Sequence, residues 1–160
     1  MAIWQFDFSL VPKAAVVALH GCVPDSLDGY AAFDLEEEFD LDSDYPNYWE
    51  GGVSHQVVQV VRERLPLRRS WSEEAEMYGD ERGTSVEIWS DDVNCRVDAR
   101  SSPLPDLEFF AQLACDAECL IVLKGTGSPL EPSLLSLLCA FKASRAYRFC
   151  KDPIGTLHEL

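Results

Sequence analysis

The run VNCRVDAR, from Val93 to Arg100, places Val93, Cys95, Val97 and Ala99 at alternate positions, with Asn94, Arg96, Asp98 and Arg100 between them. A period of two puts all the apolar side chains on one side only in an extended chain, so the run predicts a strand with one face on a core. Just upstream, Val86, Ile88 and the ring of Trp89 keep the same alternation, and the short Ser90–Asp92 between them reads as a hairpin turn. A sheet of this kind needs a second layer to cover its apolar face. The rest of the chain supplies one.

IWQFDFSLV, Ile3 to Val11, alternates as a half-buried strand and stops at Pro12. CLIVLKG is a nearly continuous apolar run, as expected of a central strand. Three segments carry helical spacing instead. In SHQVVQVVRERLP, Ser54 is the expected N-cap, Val57, Val58, Val61 and Leu65 share a face, and Pro66 is the stop. PLPDLEFFAQLACDA puts Leu107, Phe110, Leu113 and Ala114 on one face with Asp106 near the N-terminus, where a carboxylate suits the helix dipole. Ser133 to Ser144 reads as a helix buried on much of its surface.

Ala14 to His20 is apolar but short and fits either a strand or a turn of helix. SWSEEAEMYGDERG reads as a loop or an exposed strand edge, and the tail YRFCKDPIGTLHEL as a short strand with one helical turn. The order strand, helix, strand, strand, helix, strand, helix predicts an α+β fold: a ferredoxin-like split βαβ sheet (β-α-β-β-α-β) with an added C-terminal helix. At 160 residues, residues 1–160 are expected to form a single domain. Such a fold hosts many functions and names none.

Charge narrows the field. The formal net charge is −15, which disfavours nucleic acid and anionic membrane surfaces as partners and favours a basic protein. No apolar run approaches the roughly 20 residues of a membrane helix. LHGC, ending at Cys22, has the outline of a lipoprotein cleavage box, but Asp7 and the short AAVVAL stretch speak against a signal, so a cytoplasmic location is expected. The six cysteines lie mostly in apolar words and are expected as reduced core thiols; Cys115 and Cys119 are four apart, which is not a zinc or thioredoxin pair.

The acid is concentrated between Phe33 and Gly52, FDLEEEFDLDSDYPNYWEGG, in a long connection with one helical turn expected around Leu35 to Phe39. Asp40, Asp42 and Asp44 fit the first three ligand positions of an EF-hand loop, but Tyr45 stands where Gly is required and Gly51 where Glu is required, so no metal and no cofactor is expected. Acid–base chemistry needs two carboxyls at a fixed separation in a rigid frame, which this segment does not supply. His20, His55 and His158 stand apart, and KGTGSP has neither Walker nor Rossmann spacing, so no catalytic residue is expected. Interleaved aromatics instead suggest a protein-binding surface. Asp34, Glu36, Glu37, Glu38, Asp40, Asp42, Asp44 and Glu50 would steer a basic partner, with Tyr45, Tyr48 and Trp49 as anchors. Arg62, Arg64, Arg68 and Arg69 form a basic patch, with Glu63, Glu73 and Glu74 as its expected internal partners.

WQFDFSLVP, WEGG, LP followed by SWSEE, the strand with VDAR, LEFFAQLA and SRAYRFCKDP together resemble small cytosolic immunity proteins encoded beside bacterial polymorphic toxins. The resemblance implies a non-enzymatic protein that binds one cognate toxin, often a nuclease, and blocks it. Two other classes stay open at this stage: a small ferredoxin-like enzyme whose acids assemble only in space, marked by a pocket holding a carboxylate of raised pKa, and an adaptor or subunit of a non-toxin complex.

Overall fold

The computed structural model describes residues 2–31 and 46–158. Helices and a seven-stranded antiparallel sheet make an α+β fold. The central strand is β1 (Gln5–Pro12), which is buried along nearly its whole length. It pairs on one side with β5 (Val93–Asp98) and on the other with β6 (Cys119–Leu123). Beyond β5 lie β4 (Ser85–Ile88), β3 (Glu76–Gly79) and β2 (Leu67–Arg68); β7 (Pro129–Leu130) closes the other edge. The Val86–Cys95 and Ile88–Val93 pairs confirm the hairpin read from the alternation.

Register divides the sheet into two faces. Phe6, Phe8 and Leu10 point with Val86, Val97 and Ile121 into the larger core. That core is covered by α2 (His55–Arg64), α3 (Leu104–Asp116), α4 (Leu134–Ala143) and α5 (Arg145–Lys151). Edge-to-face rings join the layers: Phe8 meets Phe110 with centroids 5.2 Å apart, and Phe6 meets Phe141 at 5.4 Å. On the opposite face Val11, Leu120 and Val122 form a second, smaller core with Val16 of α1 (Lys13–His20), Leu27 and Tyr48.

Local chemistry accounts for the helix ends. The Ser54 hydroxyl accepts from the Val57 amide at 3.3 Å, and Pro66 follows the last turn of α2. The short Ala14–His20 segment resolves as helix, ending at Gly21 in the left-handed conformation. The tail differs from its sequence reading: it forms α5 and then α6 (Pro153–His158), with no strand among its described residues. Ser144 accepts from the Tyr147 amide at 3.2 Å, and Pro153 follows Asp152, so both helices begin on ordinary start signals. α4 is less buried than expected, with only Leu137 and Phe141 inside and Leu135 exposed. Strands β2, β3 and β7 and helices α1, α5 and α6 are additions to the expected order.

All six cysteines are free, but only Cys95 and Cys119 are buried; burial pushes both thiols up, Cys119 to about 12. Cys22, Cys115 and Cys139 are exposed, which corrects their assignment to the core. They lie on outward helix faces or beyond a helix end, where an apolar sequence neighbourhood does not imply burial. Among the described residues, no helix is long and apolar enough to cross a membrane.

Two of the four arginines of the basic patch, Arg62 and Arg64, are in ion pairs, though not with the expected partners. Arg62 meets Glu76 at 3.4 Å and the Tyr78 hydroxyl at 3.3 Å, Arg64 meets Asp106 at 3.3 Å, and Arg68 donates to the Gly79 carbonyl at 2.9 Å. Asp106 is only 1% exposed and also accepts from Arg82 at 3.1 Å and from the Thr84 hydroxyl at 2.8 Å. One carboxylate thus ties α2, the β3–β4 turn and α3. Replacing Asp106 by Ala is expected to cost about 2 kcal/mol, less than a fully buried pair because both arginines regain water. A double-mutant cycle with Thr84→Val in urea unfolding should show a coupling of about 1 kcal/mol.

Candidate functional site

The described residues that flank the acidic segment are both fixed to the smaller core. On the N-terminal side, the Leu27 amide donates to the Gly127 carbonyl at 2.9 Å and the Gly125 amide to the Tyr30 carbonyl at 2.8 Å. Ala31 bridges to Gly125 and Thr126. Gly127 has φ +67, and a Cβ there would stand 2.5 Å from the Leu27 carbonyl oxygen, so this close approach requires glycine. On the C-terminal side, the Asn47 carboxamide accepts from the Trp49 amide at 2.8 Å, and the Tyr48 hydroxyl bonds to His20 Nε2 at 3.0 Å. Tyr30 and Tyr48 stack, centroids 6.5 Å apart, which brings the two flanks together.

Asp34, Glu36, Glu37, Glu38, Asp40, Asp42, Asp44 and Tyr45 lie outside the described residues, as does the helical turn expected at Leu35 to Phe39. Glu50 is exposed. Tyr48 and Trp49 are 4% and 5% exposed, which corrects their reading as surface anchors. The reason lies in β1. Its pairing with β5 ends at Ser9–Asn94, while the strand runs on to Pro12 alongside β6 only. The indole N–H of Trp49 donates to the Leu10 carbonyl at 3.0 Å and so takes the place of the missing neighbour. Tyr48 enters one core and Trp49 the other.

A polar nest was hidden in the strand alternation. Asp7 and Ser9 face Arg96 and Asn94 across β1–β5. Arg96 Nε donates to Asp7 at 2.7 Å, its guanidinium reaches Glu87 at 3.9 Å, and the Ser9 hydroxyl donates to Asn94 at 3.0 Å. Lys124 donates to the same Asn94 carboxamide oxygen. Beside them, burial pushes the Asp92 carboxyl up against the pull of Lys124. Burial, then the negative charge of Asp92, pushes the Tyr30 phenol well above its ordinary value. The pattern FDFS in a strand buried on both faces was the available signal: polar side chains at its alternate positions must find partners.

A cavity of about 570 Å³ lies between the start of β1, the end of β6 and the α4–α5 corner; Asp7, Lys124, Phe6 and Ala146 are among its lining residues. Asp92, the carboxyl with the raised pKa, does not line it. Among the described residues, no three His, Cys, Asp or Glu side chains are grouped to hold a metal ion.

Other carboxylates show the opposite shift. Hydrogen bonds from Arg100 hold Asp98 below the usual range; burial works to raise Asp80, but Arg82 and the Thr84 amide outweigh it. Both therefore contribute stability that is present above the unfolded carboxylate value, near pH 4, and is lost as the pH falls through their folded values. Asp92 acts with the opposite sign, its contribution being lost as pH rises. In urea melts from pH 6 to pH 3, the wild type is expected to lose more stability than Asp98→Asn.

Comparison with models of protein families, with curated proteins and with solved structures finds no match in any of the three.

Proposed function

We propose that this protein is a non-enzymatic, cytoplasmic immunity protein that binds a cognate basic toxin and occludes its active site. One observation carries the reading: the chain's charges are unevenly spent. Phe33 to Gly52 hold eight of the 28 acids and none of the 13 Lys and Arg. Meanwhile Lys13, Arg62, Arg64, Arg82, Arg96 and Arg100 are each engaged in an ion pair within the chain. Six of the 13 cations are thus engaged in ion pairs within the chain, and a net charge of −15 remains for a partner to meet. It would raise the association rate with a basic partner, such as a nuclease whose cleft is built for phosphate.

The fold belongs to the same proposal. In chain order β1, α2, β4, β5, α3 and β6 give β-α-β-β-α-β, which supports a ferredoxin-like split βαβ centre with strands added at both edges. Its two-faced sheet would hold the base of the acidic segment in place.

The test is co-purification with the product of the neighbouring gene, followed by titration of the complex against salt. A one-to-one complex that weakens as salt rises and silences the partner's toxicity is the expected result; absence of a complex overturns the reading. The 570 Å³ cavity bordered by Asp7 favours a second reading, a small-molecule site, because Asp7 Oδ2 is buried without a hydrogen-bond partner among the described residues. Thermal stabilisation by a metabolite panel, abolished by Asp7→Asn, would support that alternative.

A further inference from the structure

Trp71 is 71% exposed, although tryptophan is costly to leave in water. Its ring lies 5.2 Å from that of Trp89, which is half-buried at the end of β4. The pair is held from behind. The Trp89 amide donates to the Asp92 carbonyl at 2.8 Å, closing the β4–β5 turn. Around Trp71, the Ser70 hydroxyl accepts from the Ser72 amide and the Ser72 hydroxyl from the Glu74 amide, each at 3.2 Å. Two consecutive side-chain turns therefore hold the loop in shape, and little conformational entropy remains to be lost on binding.

The charges around this pair are unpaired. Glu73, Glu74 and Asp91 are exposed, and among the described residues none of them takes part in an ion pair. Elsewhere the chain places its own cations on its rings, with Arg100 4.2 Å from the Trp4 centroid and Arg64 5.7 Å from that of Phe109. Trp71 has no such cation among the described residues. Glu73 and Glu74 follow Trp71 by two and three residues and Asp91 follows Trp89 by two, and an aromatic face with such carboxylates in reach is complementary to a guanidinium, which stacks on the ring and donates to the acids.

We propose that Trp71 and Trp89, with Glu73, Glu74 and Asp91, form the anchor surface for an arginine side chain presented by the basic partner. This rests on the reading of the protein as an inhibitor of a basic toxin, and it supplies the aromatic hot spot that Tyr48 and Trp49 cannot. The site lies at the same end of the sheet as the flanks of the acidic segment: the Tyr30 hydroxyl is 3.5 Å from Asp92, and Gly52 backs onto the Ser90 carbonyl.

The probe is tetra-arginine amide, with tetra-lysine amide as the charge control, titrated into the full chain and followed by the indole N–H signals of its four tryptophans. Tetra-arginine is expected to move the Trp71 and Trp89 signals while leaving Trp4 and Trp49 in place, and tetra-lysine to move them less. Trp71→Ala should abolish the Trp89 shift, and Glu73→Gln with Glu74→Gln should weaken binding several-fold. Shifts confined to other parts of the chain overturn the surface, as does a concentration-dependent Trp71 shift without peptide, which would mark a second copy of this chain as the occupant. In the complex with the neighbouring gene's product, Trp71→Ala is expected to raise the dissociation rate about tenfold. An unchanged rate in a complex that forms overturns the surface and leaves the inhibitor reading standing. A peptide that maps to Trp71 when no complex forms supports the surface and overturns the inhibitor reading.

Discussion

Replacing Trp49 by alanine is expected to destabilise the protein by about 3–5 kcal/mol, the range for large-to-small changes in a packed core. The indole is buried in the larger core and its N–H satisfies the Leu10 carbonyl. Alanine leaves a cavity and an unpaired carbonyl on the strand that centres the sheet, and a domain of this size has only about 5–15 kcal/mol in total. Trp49→Phe should cost less, about 1–2 kcal/mol, because it restores most of the volume and forfeits the hydrogen bond. Urea unfolding followed by far-UV circular dichroism measures both. Any effect of Trp49→Ala on a partner would then arise through the fold. Trp71→Ala, by contrast, should leave the unfolding midpoint within about 0.5 kcal/mol of wild type, as expected for an exposed side chain.

Neutralising Asp34, Glu36, Glu37, Glu38, Asp40, Asp42 and Asp44 together, as Asn and Gln, is expected to slow association with the basic partner by about 10- to 100-fold at low salt. The dissociation rate should change far less. The salt dependence of association should flatten in parallel, because the long-range term that salt screens has been removed. Stopped-flow association at 20 mM and 500 mM salt gives both quantities. Equal rates for wild type and variant at low salt would show that the segment does not steer the encounter, whatever surface makes the final contact.

The difference between these two outcomes shows how far sequence carried the fold and the site. Where a segment is long enough to repeat its period, it was legible: the β4–β5 hairpin, the Ser54-to-Pro66 limits of α2 and the apolar face of α3 all follow from spacing and caps. β2 and β7 are two residues each and β3 is four, too short to display an alternation, and α5 and α6 are one to two turns. Trp49 and Trp71 stand in similar words, YWEGG and SWSEE, yet one is core and the other surface. Their fates depend on a vacancy beside β1 and on a turn after β2, neither of which is local to the tryptophan. The partners of Arg62, Arg64 and Arg68 differ from the expected Glu63, Glu73 and Glu74 for the same reason: Glu76, Asp106 and the Gly79 carbonyl are brought within reach only by the folded sheet.

The stacked Tyr30–Tyr48 pair, with the Gly127 and Asn47 attachments on either side, has a consequence for how such a protein can diverge. Both described ends, at Ala31 and at Asn47, are fixed to the smaller core by groups that lie outside residues 32–45. Changes between residues 32 and 45 therefore leave the donors and acceptors of these attachments, Leu27 to Gly127, Gly125 to Tyr30 and Trp49 to Asn47, in the sequence. Under the inhibitor function proposed above, the same attachments would be inherited while the charge offered to a partner is rewritten.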